Sequence, residues 1–351
     1  MNLHRLLPAT AGIAATGLLL TGCAGATAET PAADAGAIVV YSNSVSDGRG
    51  EWLIEQAAEA GFEVEYVDAG GGAITERIIA ESANPIADVV FGPNNVNFES
   101  MKAAGALEAY TPAWADKVDE IDPDGTYHSI VEEPIMVVYN TAAFPNGAGA
   151  PTDWTDLFED EQYHGRYETQ TSLSGGTTQL VITSLLSRYR DDSGELGISD
   201  EGWAAIDAFF ANGSPAVEGT DLYARMSAGD VDLGQMWLAG KASREVEYGI
   251  ETEAIRPAGG VPIVNQGIGL VKGSDNNDQA QEFIDWFGSA EVQAAWSQEF
   301  FTAPTNADAL ANADQDAVEM SGSFTPQDID WAFVSENLPA WIEEIELNHL
   351  G

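Results

Sequence analysis

Cysteine and basic residues are the scarce components of this 351-residue chain: it has one Cys, and 13 Lys plus Arg stand against 57 Asp plus Glu. A single thiol excludes an intramolecular disulfide and any thiolate-rich zinc or iron–sulfur site. The formal net charge of −44 excludes nucleic acid as a natural partner, because phosphates are repelled and there is nothing to release their counterions. Anionic membrane surfaces are disfavoured on the same ground. Histidine is sparse too: His4, His128, His164 and His349 are scattered and form no H-E-x-x-H zinc pair. There is no G-x-S-x-G elbow, and at this acid content chance supplies carboxylate pairs, so neither an enzyme nor a metal or cofactor is expected.

What is present is apolar bulk. Hydrophobic residues make up 44 % of the chain, with nine Trp and 13 Phe, enough for packed cores despite the charge. The length exceeds the roughly 100 to 200 residues of one domain, so two lobes are expected. No internal repeat is visible.

The amino terminus reads as an export signal over residues 1–22: His4 and Arg5 precede an apolar stretch from Ile13 to Leu20, too short for a membrane helix. It ends in Leu20-Thr21-Gly22-Cys23, which resembles the lipobox of bacterial lipoproteins, where the cysteine is acylated and becomes the first mature residue. Residues 23–37 contain no large apolar side chain and read as a flexible tether. Removing residues 1–22 takes away one Arg and no acid, so the formal charge moves from −44 to −45. Such a surface accompanies salt-rich surroundings or a demand for solubility.

Downstream, the apolar run 37–42 predicts a buried strand, followed by a helix over 50–60 and a strand over 62–67. The unit recurs as a glycine loop, a helix with Ile74, Ile78 and Ile79 on one side, and a strand over 87–91. This alternation predicts an α/β fold with a parallel sheet and crossover helices. Further strands are expected at 135–139, 231–236 and 261–271, with helices over 178–188 and 201–212. Ala280, Phe283, Ile284 and Phe287 fall at helical spacing, and one or two closing helices occupy 326–345.

Taken in order, IVVYSNS, AGGGAITERI, ADVVFGPNN, PIMVVYNT, SLSGGTTQL and VNQGIGLVKGSDNNDQAQEFIDWF followed by APTN resemble the substrate-binding proteins of bacterial importers driven by ATP hydrolysis. The resembling group contains ferric-ion, thiamine, hexose-phosphate and 2-aminoethylphosphonate binders, and the likeness spans nearly all of residues 38–345. It implies a two-lobed periplasmic-binding-protein-like fold of type II, with the ligand in a cleft between lobes. The lobes are expected at 38–128 with 262–310 and at 129–261 with 311–351. A monomer delivering its ligand to permease and ATPase subunits, held on the extracytoplasmic face of the cell membrane by a lipid on Cys23, is the implied setting.

Site candidates lie in loops at the sheet's carboxyl edge, where open α/β sheets bind ligands. Ser42, Asn43 and Ser44 follow the first strand and are either cleft donors or turn formers. Gly71 and Gly72 open a helix and offer unobstructed N–H groups to an anion, or merely make the turn. Asn94 and Asn95 end the third strand, as ligand contacts or as residues tolerant of a left-handed backbone. Ser174, Gly175, Gly176 and Thr177 place small residues at a helix start, where the dipole favours a negative group; helix capping by Ser174 or Thr177 is the competing reading. In the ferric-binding relatives a matching segment holds the anion that accompanies iron, so the resemblance assigns that role to Ser174, Gly175 and Gly176. Those relatives have adjacent tyrosines where this chain has Gln235, Met236 and Trp237, which disfavours Fe³⁺. Trp237 is a stacking or cation–π surface or a core residue, and Asn265 with Gln266 precedes a glycine-containing strand. Arg49 and Arg225 are the first-ranked cations for a phosphate or carboxylate. The expected ligand is a small oxyanion-bearing solute, an organophosphate or phosphonate, with ferric ion or thiamine as alternatives and a surface hydrolase as the remote one.

Overall fold

The computed structural model describes residues 36–350, so the export segment 1–22, Cys23 and the tether through residue 35 lie outside the described residues. Strand β1 (Ile38–Ser42) leads through helix α1 (Arg49–Ala60) to β2 (Val64–Asp68), and α2 (Gly71–Glu81) leads to β3 (Val89–Asn94). Helix α3 (Asn95–Ala103) and the short β4 (Leu107–Glu108) precede the long β5 (Tyr127–Asn140). There follow α4 (Asp156–Glu159), β6 (Glu168–Thr169), α5 (Gly176–Leu186), β7 (Arg190–Glu195), α6 (Asp200–Asn212), β8 (Ser214–Pro215) and α7 (Leu222–Ala228). The chain continues as β9 (Leu233–Trp237), α8 (Leu238–Tyr248), β10 (Thr252–Ala254) and β11 (Ile263–Val271). It closes with α9 (Asn277–Phe287), α10 (Ala290–Phe300), β12 (Ala303–Pro304), α11 (Gln315–Gly322) and α12 (Trp331–Asn348).

One sheet runs in the order β10-β5-β11-β3-β1-β2, with β9 and β12 also paired to β5 and β4 to β11. Only part of it is parallel. β1 lies parallel to both β2 and β3, whereas β11 runs antiparallel to β3 and to β5. The expectation of a parallel sheet is therefore corrected to a mixed one. The antiparallel ladder joins segments far apart in sequence, and no local periodicity announces such a pairing.

Residues of β1, β3 and β11 alternate between two buried faces, as the period of two requires. Ile38, Val40, Val89, Phe91, Ile268 and Leu270 meet Leu53 of α1, Phe283 and Phe287 of α9, and Trp296 of α10. Tyr41, Val90 and Val271 face the other way, onto Ile74 and Ile78 of α2 and Phe98 and Met101 of α3. A separate core gathers Ile135 to Tyr139 of β5, Leu233 and Met236 of β9, and the apolar faces of α5, α6 and α12. Strand β5 contributes to both regions: Ile130 and Val131 belong with Phe91 and Phe287, and from Ile135 onward its side chains join the other core.

Several element boundaries differ from expectation. The strand expected at 135–139 is the second half of β5, whose first half carries His128, Glu132, Glu133 and Pro134 and breaks the apolar pattern. The closing segment is the single helix α12, and the helix expected from residue 178 begins at Gly176. Cations are occupied locally: among the described residues, every Lys and Arg except Arg256 and Lys272 lies within ion-pair distance of a carboxylate.

Phe287 marks the centre of the first core, with ring centroids 4.8 Å from Phe91 and 5.4 Å from Trp296. Truncating a fully buried aromatic removes its transfer free energy and leaves a cavity. Phe287→Ala is expected to cost about 3–5 kcal/mol, read as a lower urea midpoint at unchanged slope. A loss under about 1 kcal/mol would show that the site collapses or is loosely packed.

Candidate functional site

The carboxyl ends of β1 and β3, the middles of β5 and β11 and the starts of α5 and α8 enclose a cavity of ≈ 220 Å³. That is below the ~300–1,000 Å³ of drug-sized ligand sites, so it suits a small solute. Asn43 and Ser44 line it from the loop after β1. Their close approach to β3 depends on Gly92, whose φ is +95° and whose added Cβ would stand 2.5 Å from Asn43 Oδ1 and 2.6 Å from Ser44 Oγ. Asn94 also lines the cavity, and its side chain caps α3 by accepting from the Asn97 N–H.

Helix α5 meets the cavity at Gly176 and Thr177. Its N-cap is Gly175, in an extended conformation, and no side chain caps it; the Ser174 hydroxyl instead pairs with Ser172 at 3.0 Å. The capping reading for Ser174 and Thr177 is thus not what the structure has, and the first N–H groups of α5 lack a side-chain acceptor. Arg49, near the start of α1, lines the same cavity. Its guanidinium lies over the Phe300 ring at 5.1 Å, and the carboxylate in reach is Asp47 at 3.8 Å. Burial pulls the Arg49 pKa down, while Asp47 and Glu133 oppose that shift.

Alternation along the two central strands decides which polar side chains reach the cavity. On β11, Val264 and Gln266 face it, while Asn265 turns away and accepts a hydrogen bond from Ser129 Oγ at 2.9 Å. On β5, Glu133 and Ile135 face it, while Glu132 accepts from Ser321 Oγ on the opposite side. A polar chain results: Ser44 Oγ donates to Gln266 Oε1 at 3.0 Å, and Gln266 Nε2 donates to Glu133 Oε2 at 2.6 Å. Glu133 is 5 % exposed, and its Oε1 has no hydrogen-bond partner. Burial pushes its pKa from 4.5 up to about 7; the N–H groups of Ala239 and Leu238 at the start of α8, the Arg49 charge and the Gln266 bond pull the other way. Those amides favour the ionised form from nearby without making a bond of ordinary geometry to Oε1. Thr302 Oγ1, on the same wall, is also buried and unpartnered. Leaving a buried polar atom unpaired costs ~1–3 kcal/mol, more when it is charged.

The structure thus brings together Asn43, Ser44, Asn94, Gly176, Thr177 and Trp237. Gly175 and Gln235 line a neighbouring groove of ≈ 600 Å³ that shares Gly176, Thr177 and Trp237 with the cavity; there Gln235 Nε2 donates to Thr178 Oγ1 at 2.7 Å. The remaining candidates lie off the cavity. Ser42 is buried and accepts from the Ser44 N–H, which is the turn-forming role. Gly71 sits behind the lining, where an added Cβ would be 2.9 Å from Asn97 Oδ1 and 3.4 Å from Asn43 Nδ2, and Gly72 faces open space. Asn95, Ser174 and Asn265 do not line it either. Arg225 is a correction: it is 6 % exposed and bound to Glu168 Oε2 at 2.7 Å and to Ser214 and Pro215, so it fastens β6 and β8 to α7. Trp237 carries the Arg244 guanidinium at 4.7 Å from its ring, so a cation of the protein already uses the ring as a partner. Sequence reasoning missed Glu133; its one signal was a pair of acids inside an apolar strand, where alternation must turn one of them inward.

Side chains from two α/β lobes converging on one small polar cavity define a binding protein that holds its ligand between lobes. The sequence matches the family model for bacterial extracellular solute-binding protein over residues 54–324, and the chain belongs to that family. It is 33 % identical over 314 residues to a probable ABC transporter periplasmic-binding protein of Sinorhizobium fredii, covering 88 % of this chain and 86 % of that one. It is 25 % identical over 297 residues to a putative 2-aminoethylphosphonate-binding periplasmic protein of Salmonella typhimurium, covering 81 % and 83 %. The solved structure of the periplasmic binding protein P5PA superposes with a TM-score of 0.72 at 24 % identity, over 90 % of this chain and 100 % of that one. The chain is thus a substrate-binding protein of an ABC transporter, a family of transport proteins that work with permease and ATPase components on small-molecule ligands. Among the described residues no helix is long and apolar enough to cross a membrane.

Because the folded pKa of Glu133 lies above its ordinary 4.5, the fold penalises the ionised form. Its favourable contribution is complete below about pH 4.5 and is lost as the pH rises through about 7. Urea unfolding across that window should show wild type losing stability relative to Glu133→Gln as the pH increases. A difference independent of pH would mean that the carboxylate is solvated.

Proposed function

We propose that the protein captures a small oxyanion-bearing solute, an organophosphate or phosphonate, by closure of its two lobes, and delivers it to a permease. The observation that carries this reading is the start of α5: an 11-residue helix with no side-chain cap opens at Gly176 and Thr177 onto the cavity that Arg49 also lines. Helix-start N–H groups and a guanidinium together make an anion site in a place shielded from water. The printed name of the Salmonella typhimurium relative supports the same chemistry. Ferric iron and thiamine have less support. No tyrosine lines the cavity, so the phenolate oxygens Fe³⁺ favours are missing there, and Trp237 already has a cation over its ring.

The lobes in this reading are residues 38–128 with 262–310 and residues 129–261 with 311–351. Core membership supports that division, since β5 passes from one core to the other between Val131 and Ile135. Closure is driven by the ligand's greater affinity for the closed arrangement. The body acts as a monomer, tethered on the extracytoplasmic face of the membrane by a lipid on Cys23, and has no catalytic role.

A thermal-shift screen of the protein from Ala24 onward tests the ligand class with phosphate, sugar phosphates, alkylphosphonates, thiamine, and Fe³⁺ with an accompanying anion. A solute at one hundred times its Kd stabilises by about 2.7 kcal/mol. Arg49→Ala should weaken a phosphate or phosphonate ligand by about 10- to 100-fold, the worth of one charge-assisted hydrogen bond. A shift with thiamine or iron alone, insensitive to Arg49, would overturn the oxyanion reading.

A further inference from the structure

An anion site leaves Glu133 unexplained. Three ionisable side chains line the cavity: Asp47, Arg49 and Glu133, one cation against two carboxylates. A free dianion there would find a single guanidinium and be repelled twice. Glu133 is held in place by Gln266, which satisfies Oε2, while Oε1 is buried, has no partner and belongs to the cavity wall. An acceptor in that situation is completed by a donor that arrives from outside the protein. Thr302 Oγ1, also buried and unpartnered, stands on the same wall and can accept or donate. The wall opposite in chemistry is Arg49 with the start of α5, so the cavity has an acceptor region and a donor region.

We infer that Glu133 is a specificity-determining residue of this cleft: its free carboxylate oxygen takes a hydrogen bond from a protonated amine on the solute whose oxyanion Arg49 and the start of α5 hold. The ligand is therefore a small zwitterion, an amine-bearing phosphate or phosphonate, in place of a simple phosphate. This narrows the oxyanion reading and rests on it. The amine replaces the missing donor at Oε1, and its charge balances the second carboxylate.

Calorimetry with ethyl phosphate and 2-aminoethyl phosphate, which differ by one amine, tests the assignment. The amine should raise affinity at least tenfold in wild type, and Glu133→Gln should abolish that advantage while binding ethyl phosphate as well as wild type does or better. Retained ethyl phosphate binding also shows that the variant is folded; should it not fold, the wild-type ratio of the two affinities carries the test. Equal affinities in wild type would overturn the role of Glu133 and leave the oxyanion reading intact. The same overturning follows if the amine advantage survives in Glu133→Gln. If neither phosphate binds, the oxyanion reading fails and the assignment of Glu133 fails with it.

Discussion

Backbone pairing along β5 joins the two cores, and every other part of the cleft takes its position from that strand. Residues Tyr127 to Pro134 pair with β11, while Ile135 to Tyr139 pair with β9 and Val138 to Asn140 with β10. The change of partners falls at Pro134, which has no N–H to give a ladder. A stiff strand thus carries its weakest link at the point where one core hands over to the other. Glu133 is the residue immediately before that link, so the one buried carboxylate of the cavity sits where relative movement of the cores is mechanically easiest.

The polar chain from Ser44 through Gln266 to Glu133 ties the loop after β1, the centre of β11 and the middle of β5 to one another. Each bond alone contributes about 1 kcal/mol. Together they orient groups that would otherwise have rotamer freedom, and preorganised polar groups lower the ordering cost of binding. Gly92 belongs to the same arrangement, since a side chain there would displace Asn43 and Ser44 from the lining.

Much of the fold was legible because its signals are local. Ile38 to Ser42 and the Ala280, Phe283, Ile284, Phe287 face announce themselves by periodicity, and the Gly175-Gly176 opening of α5 by its small residues. The first half of β5 was not legible, since His128, Glu132, Glu133 and Pro134 interrupt the apolar pattern while the strand is held by distant β11. Site residues divide in the same manner. Loop positions such as Asn43 and Asn94 follow from the rule that ligands meet the carboxyl edge of a sheet. Glu133 is one acid among 57 Asp plus Glu, and only its burial beside Gln266 distinguishes it. Arg225 misled for the converse reason: its partner Glu168 is far away in sequence, and pairing with it removes the cation from the cleft.

The local occupation of nearly every Lys and Arg leaves the surplus acids facing water. Around such a body a layer of mobile cations gathers, about 8 Å thick at physiological ionic strength. A dianion approaching through thin salt climbs a repulsive potential before it reaches Arg49, whereas a solute of zero net charge crosses almost unopposed. The surface therefore sorts solutes by net charge before the cleft sorts them by shape. Its selectivity relaxes as the medium becomes saltier, the reverse of receptors that draw anions in through a positive field.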